Sequence, residues 1–411
     1  MAISTDTRLP RLRLLDVRPM QHDGQVWLAL RDPLQLSERV VTIPRQLAPV
    51  LALCDGTRDT AALRASLGVR FGLRVGAREL ENFLAALDEA FLLDNERFAQ
   101  AREQALEDYR RAPFRPSLLA GQSYPDDADE LRRALSGYVE AAGDVPPAPD
   151  GARGLVSPHI DYPRGGPVYG RVWQRAAEAV RAADLVVVLG TDHFGGEGGL
   201  TLTRQHYRTP FGVLPTARGV VDALAGALGE EAAFGGELYH RSEHSVELAA
   251  VWLHYVRGGE PCELVPVLCG SFGPFVRGEA PTGPPGRDLA MAAFVDVLGR
   301  ETAGRRVLVV ASADLAHVGP AFGGPPQGLV ERAHLSAADE GLIERVCAGD
   351  AQGFFETVQQ AGDRYNVCGL PPIYLALRLL DPVQGERVAY ERCPADGNGT
   401  SLVTICGVLW R

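Results

Sequence analysis

The sequence contains no lysine, so all 41 of its basic residues are arginine. A chain without lysine has no Schiff-base lysine, no lysine-bound pyridoxal phosphate and no lysine-bearing phosphate loop. The 52 acidic residues outnumber the basic ones and give a formal net charge of -11, which argues against general nucleic-acid binding. An arginine-only composition is also typical of a biased genome. It therefore excludes the lysine-dependent sites named above but does not indicate another activity.

Patterned cysteines and long apolar runs are absent as well. The seven cysteines form no CxxC pair and no repeated spacing, which is typical of reduced thiols rather than of a disulfide framework. No run of about 18 apolar residues occurs, and Met1–Asp6 lacks the basic start and apolar core of a signal peptide. We therefore expect a cytoplasmic protein with no membrane association. The sequence does not indicate an oligomeric state.

The length of 411 residues predicts more than one domain. We expect a small α+β unit over residues 1–98, a charged helical connector over 99–112 and an α/β domain over 113–411. Apolar periodicity and turn residues predict the elements of the first unit. These are strands at Gln25–Leu30 and Val40–Ile43, helices at Gln46–Leu53, Ala61–Leu67 and Ala77–Ala90, and a final strand or wing at Leu92–Asn95.

The order of these elements, together with "LALCDGTRDTAALRASL" and "LDEAFLLD", resembles the small winged-helix-like PqqD family of peptide-binding domains. The resemblance implies a peptide or protein partner, which could pair with the strand edge near Val40–Ile43. The charges of this region are balanced, so nucleic acid is not the expected partner. A plain packing or interaction domain is the alternative.

The second domain carries apolar runs bounded by charges and glycines, which are typical of strands buried on both faces of a sheet. A helical segment, Val168–Ala183, separates the first two runs and makes a strand–helix–strand unit. We therefore predict an α/β fold with a mainly parallel or mixed sheet flanked by helices. The predicted strands are Gly154–Val156, Leu185–Leu189, Leu264–Leu268, Val307–Ala311 and Leu402–Ile405.

Polar clusters follow these runs or open helices, and ligands bind in such folds at the carboxyl ends of the strands. Imidazole and thiolate are ligands preferred by iron, copper and zinc. A single loop histidine is more often structural, but the repeated placement at strand ends predicts a site. The clusters are His159–Asp161, Asp192–His193, Glu243–Glu247, Asp314–His317 and Tyr365–Gly369.

Seven ordered motifs resemble those of the Memo family, which includes the B proteins of AmmeMemoRadiSam gene sets. They are "SPHIDY", "VVVLGTDHF", "YRTPFGVLPT", "SEHSVE", "LVPVLCGSF", "VVASADLAHVG" and "NVCGLPPI". The preceding "RPSLLAGQSYPDDADEL" is similar to the N-terminal segment of that family. The resemblance implies a fold related to class III extradiol dioxygenases, with a metal at the strand ends.

The resemblance also implies roles for single residues. His159, His193 and Cys368 correspond to the implied metal ligands of the family. Iron or copper is the expected metal, and zinc remains open. His317, Asp314 and His244 match further motif positions and would supply acid–base groups or support the ligands.

This sequence departs from the family pattern at the predicted pocket. Asp192 and Phe194 replace a serine and a second histidine, and no histidine follows Cys368 in "CGLPPI". Asp161 also stands where a glycine is usual. We expect Asp161, Asp192 and Glu247 to surround the ligands and orient the imidazoles. The changed pocket lining does not predict the same substrate as in other members.

The expected function is metal-dependent oxidation of a peptide or small molecule delivered by the N-terminal unit. Metal hydrolysis, a Cys368 nucleophile activated by His317, and a non-catalytic protein-interaction scaffold are the alternatives. The motifs could also persist only for packing. In that interpretation Glu243 and Glu247 are solvated charges at a helix start and Ser242 is its N-cap.

Overall fold

The computed structural model describes residues 8–148 and 151–411. The chain divides into two compact units, one up to Arg111 and one from Ala112. The helix Glu96–Arg111, which the sequence suggested as a connector, is part of the first unit. No helix within the described ranges is long and apolar enough to cross a membrane.

The first unit is built on an antiparallel sheet of three strands rather than the two that were predicted. The missed strand, Asp16–His22, pairs with Gln25–Arg31 through a turn at Asp23 and Gly24, both at positive φ. An Asp-Gly pair is a strong hairpin signal, but almost every residue of the strand is exposed, so no apolar alternation marks it. The elements are β1 (Arg11–Leu12), β2 (Asp16–His22), β3 (Gln25–Arg31), β4 (Val41–Pro44), α1 (Ala48–Leu53), α2 (Thr60–Phe71), α3 (Ala77–Glu89), β5 (Leu93–Asp94) and α4 (Glu96–Arg111).

The second unit is an α/β fold around a mixed sheet, as predicted. Its strands are β6 (Gly154–Ser157), β7 (Leu185–Thr191), β8 (Leu200–Leu202), β9 (Tyr207–Thr209), β10 (Gly212–Leu214), β11 (Glu263–Cys269), β12 (Val307–Ser312), β13 (His317–Val318), β14 (Gly385–Pro394) and β15 (Leu402–Trp410). The central sheet has the order β13-β15-β6-β12-β7-β11-β8, with β14 paired to β15. The four central strands β6, β12, β7 and β11 are parallel, β8 and β15 are antiparallel to them, and β13 and β14 are antiparallel to β15. The carboxyl ends of the four parallel strands therefore meet at one edge of the sheet.

Helices cover both faces of this sheet. They are α5 (Ala128–Ala141), α6 (Tyr162–Arg175), α7 (Ala177–Ala182), α8 (Arg218–Leu228), α9 (Glu230–Phe234), α10 (Tyr239–Ser242), α11 (Ser245–Val256), α12 (Gly273–Val276), α13 (Leu289–Glu301), α14 (Leu329–Cys347), α15 (Ala351–Gln360) and α16 (Leu370–Leu380). Helices α5, α6 and α11 share one apolar layer with the sheet, and α8, α13, α15 and α16 share the other. Strand β7 is buried along its whole length between the two layers, which explains its continuous apolar run.

Helix α6 starts six residues earlier than predicted, because Asp161 caps it and Pro163 occupies its first turn. Glycines inside it allow α5 to approach closely. A Cβ on Gly166 would lie 2.2 Å from the ring of Tyr138, and one on Gly170 would lie 2.6 Å from the Tyr138 carbonyl oxygen. The glycines therefore allow α6 to pack closely against α5.

Candidate metal centre

The predicted residues lie at the carboxyl edge of the parallel strands. His159 follows β6 by two residues, His193 follows β7 by two residues, and Asp314 follows β12 by two residues. Cys368 lies in the turn before α16, and its Sγ atom is close to His159 and His193 at the same edge. The fold therefore brings together side chains that are up to 209 residues apart in the chain.

His159, His193 and Cys368 form one cluster. One ligand atom from each lies within 4.8 Å of the others, and the Sγ atom of Cys368 is 3.3 Å from Nε2 of His159. The two imidazole rings are 5.1 Å apart and nearly perpendicular. Atoms that bind one ion at about 2.0–2.3 Å must lie about this close to one another. The donor set and its spacing therefore fit a transition metal.

His159 is fixed by the backbone at its other nitrogen. Its Nδ1 atom lies 3.0 Å from the carbonyl oxygen of Ser312, and a carbonyl only accepts, so Nδ1 carries the proton. The Asp314 carboxylate accepts the backbone N–H of His159 at 2.8 Å. Burial lowers the pKa of His159, but the charges of Asp314 and Cys368 outweigh it and raise that pKa to about 9. Nε2 of His159 is therefore directed at the cluster.

His193 is held in the same way by Glu243, from a polar cluster that the sequence offered either as part of the site or as solvated charges. Glu243 is only 3% exposed, and its two oxygens lie 3.0 and 3.1 Å from Nδ1 of His193. The Glu243 carboxylate also accepts the backbone N–H groups of His193, His244 and Ser245. Burial raises the pKa of Glu243, but His193 and His244 pull it well below its ordinary value. Glu243 is therefore a buried anion and not a solvated charge at a helix start.

His244 stacks on His193, with ring centroids 4.8 Å apart and an angle of 18° between the planes. Its Nδ1 atom lies 3.1 Å from Glu243, and its ring is 5.4 Å from that of His159. His193, Glu243 and His244 offer a second group of ligand atoms within 4.8 Å. His244 occupies the N-cap position of α11, so Ser242 is not the cap of that helix.

His317 lies beside the thiol of Cys368. Its Nδ1 atom is 3.3 Å from the carbonyl oxygen of Leu315, which assigns the proton to Nδ1. Burial lowers the pKa of His317, but the sulfur of Cys368 raises it above its ordinary value. Burial raises the pKa of Cys368 in turn, and the neighbouring His159 and His317 lower it well below the range of a free thiol. These charges favour the thiolate form of Cys368, which is the form that binds metals.

Three further residues named from the sequence have different surroundings. Asp192 turns its Oδ1 atom to the backbone N–H groups of Phe194 and Gly195. Burial, and then the charge of Glu243, raise the pKa of Asp192 to about 6. Asp161 caps α6 and pairs with Arg164, and no hydrogen bond joins it to an imidazole in the described part of the chain.

Glu247 belongs to a separate buried cluster. It forms an ion pair with Arg115 and accepts hydrogen bonds from the backbone of Leu118 and Leu119 and from the hydroxyl of Tyr124. Arg115 is fully buried and also donates to the carbonyl oxygens of His240 and Glu243, at 2.8 and 2.9 Å. Glu247 therefore has structural partners, and Arg115 links the segment before α5 to the loop that carries Glu243.

The model of the Memo-like protein family matches residues 115–403. This chain belongs to the Memo-like family. A MEMO1 family protein of Aquifex aeolicus is 28% identical over 321 residues, which are 77% of each chain. One of Methanopyrus kandleri is 29% identical over 72% of this chain and 99% of its own length. One of Thermus thermophilus is 30% identical over 69% of this chain and 78% of its own.

The Memo-like site of this chain thus contains Glu243, for which the sequence left open a role in the site or a solvated charge at a helix start. The signal for Glu243 was its position beside His244 in "SEHSVE". A carboxylate next to a histidine is common at helix starts, and only the folded chain brings Glu243 to Nδ1 of His193. The motif alone could not separate a supporting carboxylate from a solvated one.

Proposed function

We propose that this Memo-like protein binds one transition-metal ion through His159, His193 and Cys368 and uses it in an oxidation. The observation that carries the proposal is the clustering of three metal-ligand atoms within 4.8 Å. Both imidazoles have Nδ1 tied to an acceptor, so both present Nε2. Such outer contacts are typical of histidines that bind metals.

The charges around the cluster support a cation. The Cys368 thiolate, Glu243 and Asp314 are the groups that raise the pKa of the imidazoles. Negative charges that favour protons on imidazoles also favour a metal ion in their place. A bound iron or copper ion would supply redox chemistry there, and zinc would supply only Lewis acidity.

His317 is the group best placed to move a proton. Its Nδ1 proton faces the carbonyl oxygen of Leu315, which leaves Nε2 as the acceptor. The ring is flanked by Phe322 at 5.1 Å, which limits its rotation. We assign His317 to take a proton from the substrate, or to return one, beside Cys368.

Metal content tests the first part of the proposal. The protein supplied with iron or copper should hold about one ion per chain, and His159→Ala, His193→Ala and Cys368→Ser should each lose it. His334→Ala is the matched control, because this histidine is exposed on α14. Unchanged metal in all three variants would contradict the assignment.

Oxygen consumption tests the second part. The metal-loaded protein should consume oxygen with substrate, and His317→Ala should lose that activity while keeping its metal. Turnover of an ester or amide that is indifferent to oxygen would favour metal hydrolysis instead. Absence of metal with retained partner binding would favour the scaffold.

The N-terminal unit is proposed to bind the peptide or protein substrate. Strand β4 lies at one edge of the β2-β3-β4 sheet, and Val40 beside it is 42% exposed. An edge strand can accept an extended peptide through backbone hydrogen bonds. Tight, strongly salt-dependent DNA binding by this unit would contradict the proposal.

A further inference from the structure

Three buried hydroxyl groups form a chain of hydrogen bonds across the carboxyl edge of the sheet. Ser312, Ser245 and Thr191 are at most 6% exposed, and each side chain donates to a backbone carbonyl of another segment. Ser312 donates to Ser245 at 2.6 Å, and Ser245 donates to Thr191 at 2.8 Å. Thr191 donates to Cys368 at 3.1 Å. The hydroxyl chain therefore joins the end of β12, the first residue of α11, the end of β7 and the turn before α16.

All three proposed ligands are attached to this hydroxyl chain. At one end, the carbonyl oxygen of Ser312 accepts the Nδ1 proton of His159 at 3.0 Å. At the other end, Thr191 bonds the backbone of Cys368, and His193 follows Thr191 by two residues. A displacement within the hydroxyl chain would therefore change the distances between the ligand atoms.

Two glycines allow the close approaches on which the hydroxyl chain depends. A Cβ on Gly190 would lie 2.5 Å from the hydroxyl oxygen of Ser245, and one on Gly369 would lie 2.3 Å from the carbonyl oxygen of Asp314. The N–H of Gly369 donates to that same carbonyl oxygen at 3.0 Å. The turn before α16 is thus fixed to the loop after β12 at one point and to the end of β7 at another.

Thr191 is the member of the hydroxyl chain that joins Cys368 to the strand of His193. Among the described residues, no other side chain hydrogen-bonds the backbone of Cys368. The Asp314 loop ties the same turn to His159 instead, because the Asp314 carboxylate accepts the backbone N–H of His159 at 2.8 Å. Loss of the Thr191 hydroxyl would leave the carbonyl oxygen of Cys368 without this partner, and an unsatisfied carbonyl favours rearrangement of the turn.

We propose that Thr191 is a positioning residue, which holds the sulfur of Cys368 at the distance from His193 that a shared metal ion requires. Ligand bonds of about 2.0–2.3 Å leave little room for displacement. Ser245 and Ser312 extend this support to the strand end that orients His159. The inference rests on the proposed metal site but not on the proposed oxidation.

A pair of valine variants separates positioning from a general loss of stability. Thr191→Val keeps the shape of the side chain and removes the hydroxyl, and Thr191→Ser keeps the hydroxyl. Thr216→Val is the matched control. Thr216 is 4% exposed and donates to the carbonyl oxygen of Gln205 at 2.5 Å, beside the start of β11 and therefore at the opposite end of the sheet. Both valine variants lose one buried bond from a hydroxyl to a carbonyl, so a purely structural role affects both alike.

Cobalt(II) is the probe for the metal site, because it binds imidazole and thiolate and its bond to a thiolate gives a charge-transfer absorption. In titrations of the full chain, Thr191→Val should bind cobalt about tenfold or more weakly, with a weaker thiolate absorption. Thr191→Ser and Thr216→Val should bind it like the unaltered protein. Unchanged affinity and absorption in Thr191→Val would overturn the inference. So would an equal loss in the two valine variants.

Hydrogen exchange tests the same inference without any metal. In the metal-free full chain, the backbone amides of residues 365–369 should exchange about threefold or more faster in Thr191→Val than in Thr216→Val or the unaltered protein. Equal exchange in all three proteins would overturn the positioning role. An unaltered protein that takes up neither cobalt nor iron would remove the proposed function, and the exchange of this turn alone would then decide whether Thr191 holds Cys368 in place.

Discussion

Both carboxylate oxygens of the buried Glu243 lie within hydrogen-bonding distance of Nδ1 of His193, at 3.0 and 3.1 Å. Three backbone N–H groups hold the same carboxylate in place. The imidazole is therefore oriented by a fixed buried anion rather than by a mobile surface group. This contact decides which nitrogen of His193 faces the cluster.

Replacement of this anion should weaken metal binding. We expect Glu243→Gln to lower the metal affinity by about 10–100-fold, because outer-shell partners of ligating histidines have effects of this size. The neutral amide keeps the shape of the side chain but loses the charge that favours a cation. Competition with a chelator measures the affinity. Glu356→Gln, on an exposed site of α15, is the control and should bind metal like the unaltered protein. Equal affinity in the Glu243 variant would show that this carboxylate orients nothing.

The ion pair between Arg115 and Glu247 should be a major source of stability for the second unit. Both side chains are at most 1% exposed, so Arg115→Met leaves Glu247 buried without its counter-charge. We expect a loss of about 3–5 kcal/mol in the free energy of unfolding. Urea unfolding measures it. The double variant Arg115→Met/Glu247→Met should be less destabilised than Arg115→Met, because no buried charge is then left without its counter-charge. A double variant that loses the sum of both single effects would contradict this account.

The central sheet was predictable because its strands are apolar on both faces. The predicted apolar runs lie inside the observed strands β6, β7, β11, β12 and β15. The polar residues that follow several of these runs predicted which edge of the sheet carries the site. Apolar burial is a local signal, so single segments carry it.

The features that the sequence did not predict depend on contacts between residues that are far apart in the chain. The start of α6 was missed because glycine and proline weaken the helical pattern over Gly165, Gly166 and Pro167, although Gly166 packs against Tyr138 of α5. The sequence left two interpretations of Glu243 open, because nothing in the local sequence reports its burial. Arg115 lies 128 residues from Glu243 and bonds its carbonyl oxygen. Such pairings follow from the topology, which periodicity does not encode.

Replacement of glycine by alanine should change stability in opposite directions in α6, which packs closely against α5, and in α8. A Cβ on Gly170 would lie 2.6 Å from the carbonyl oxygen of Tyr138, whereas one on Gly226 in α8 would meet nothing within 4 Å. Gly170→Ala should therefore destabilise by about 1–3 kcal/mol, as overpacking does. Gly226→Ala should stabilise by up to about 1 kcal/mol, because alanine favours helix over glycine. Thermal unfolding of both variants measures the two effects, and effects of the same sign would contradict the packing argument.

Asp339 should make the second unit less stable as the pH rises through mild acidity. It is 1% exposed on α14, and burial raises its pKa from 3.8 to about 6, despite the hydroxyl of Tyr390 at 2.8 Å. Below pH 3.8 the carboxyl is protonated in both the folded and the unfolded chain, so it does not change stability. Between these two values the unfolded chain loses the proton and the folded chain keeps it. Stability therefore falls over this window and stays lower above it, by on the order of 2–3 kcal/mol.

Asp339→Asn removes the charge and keeps an oxygen that can accept from Tyr390. We expect this variant to be more stable than the unaltered protein at neutral pH, by on the order of 2 kcal/mol, and nearly equal to it at about pH 4. Urea unfolding at both pH values measures the difference. Glu340→Gln, its neighbour on α14 in an exposed pair with Arg387, is the control and should show no such pH-dependent gain. A variant that is equally stable or less stable at neutral pH would mean that the folded protein accommodates the Asp339 carboxylate without cost. Loss of the Asp339 proton would then not explain a fall in stability between pH 4 and neutral pH.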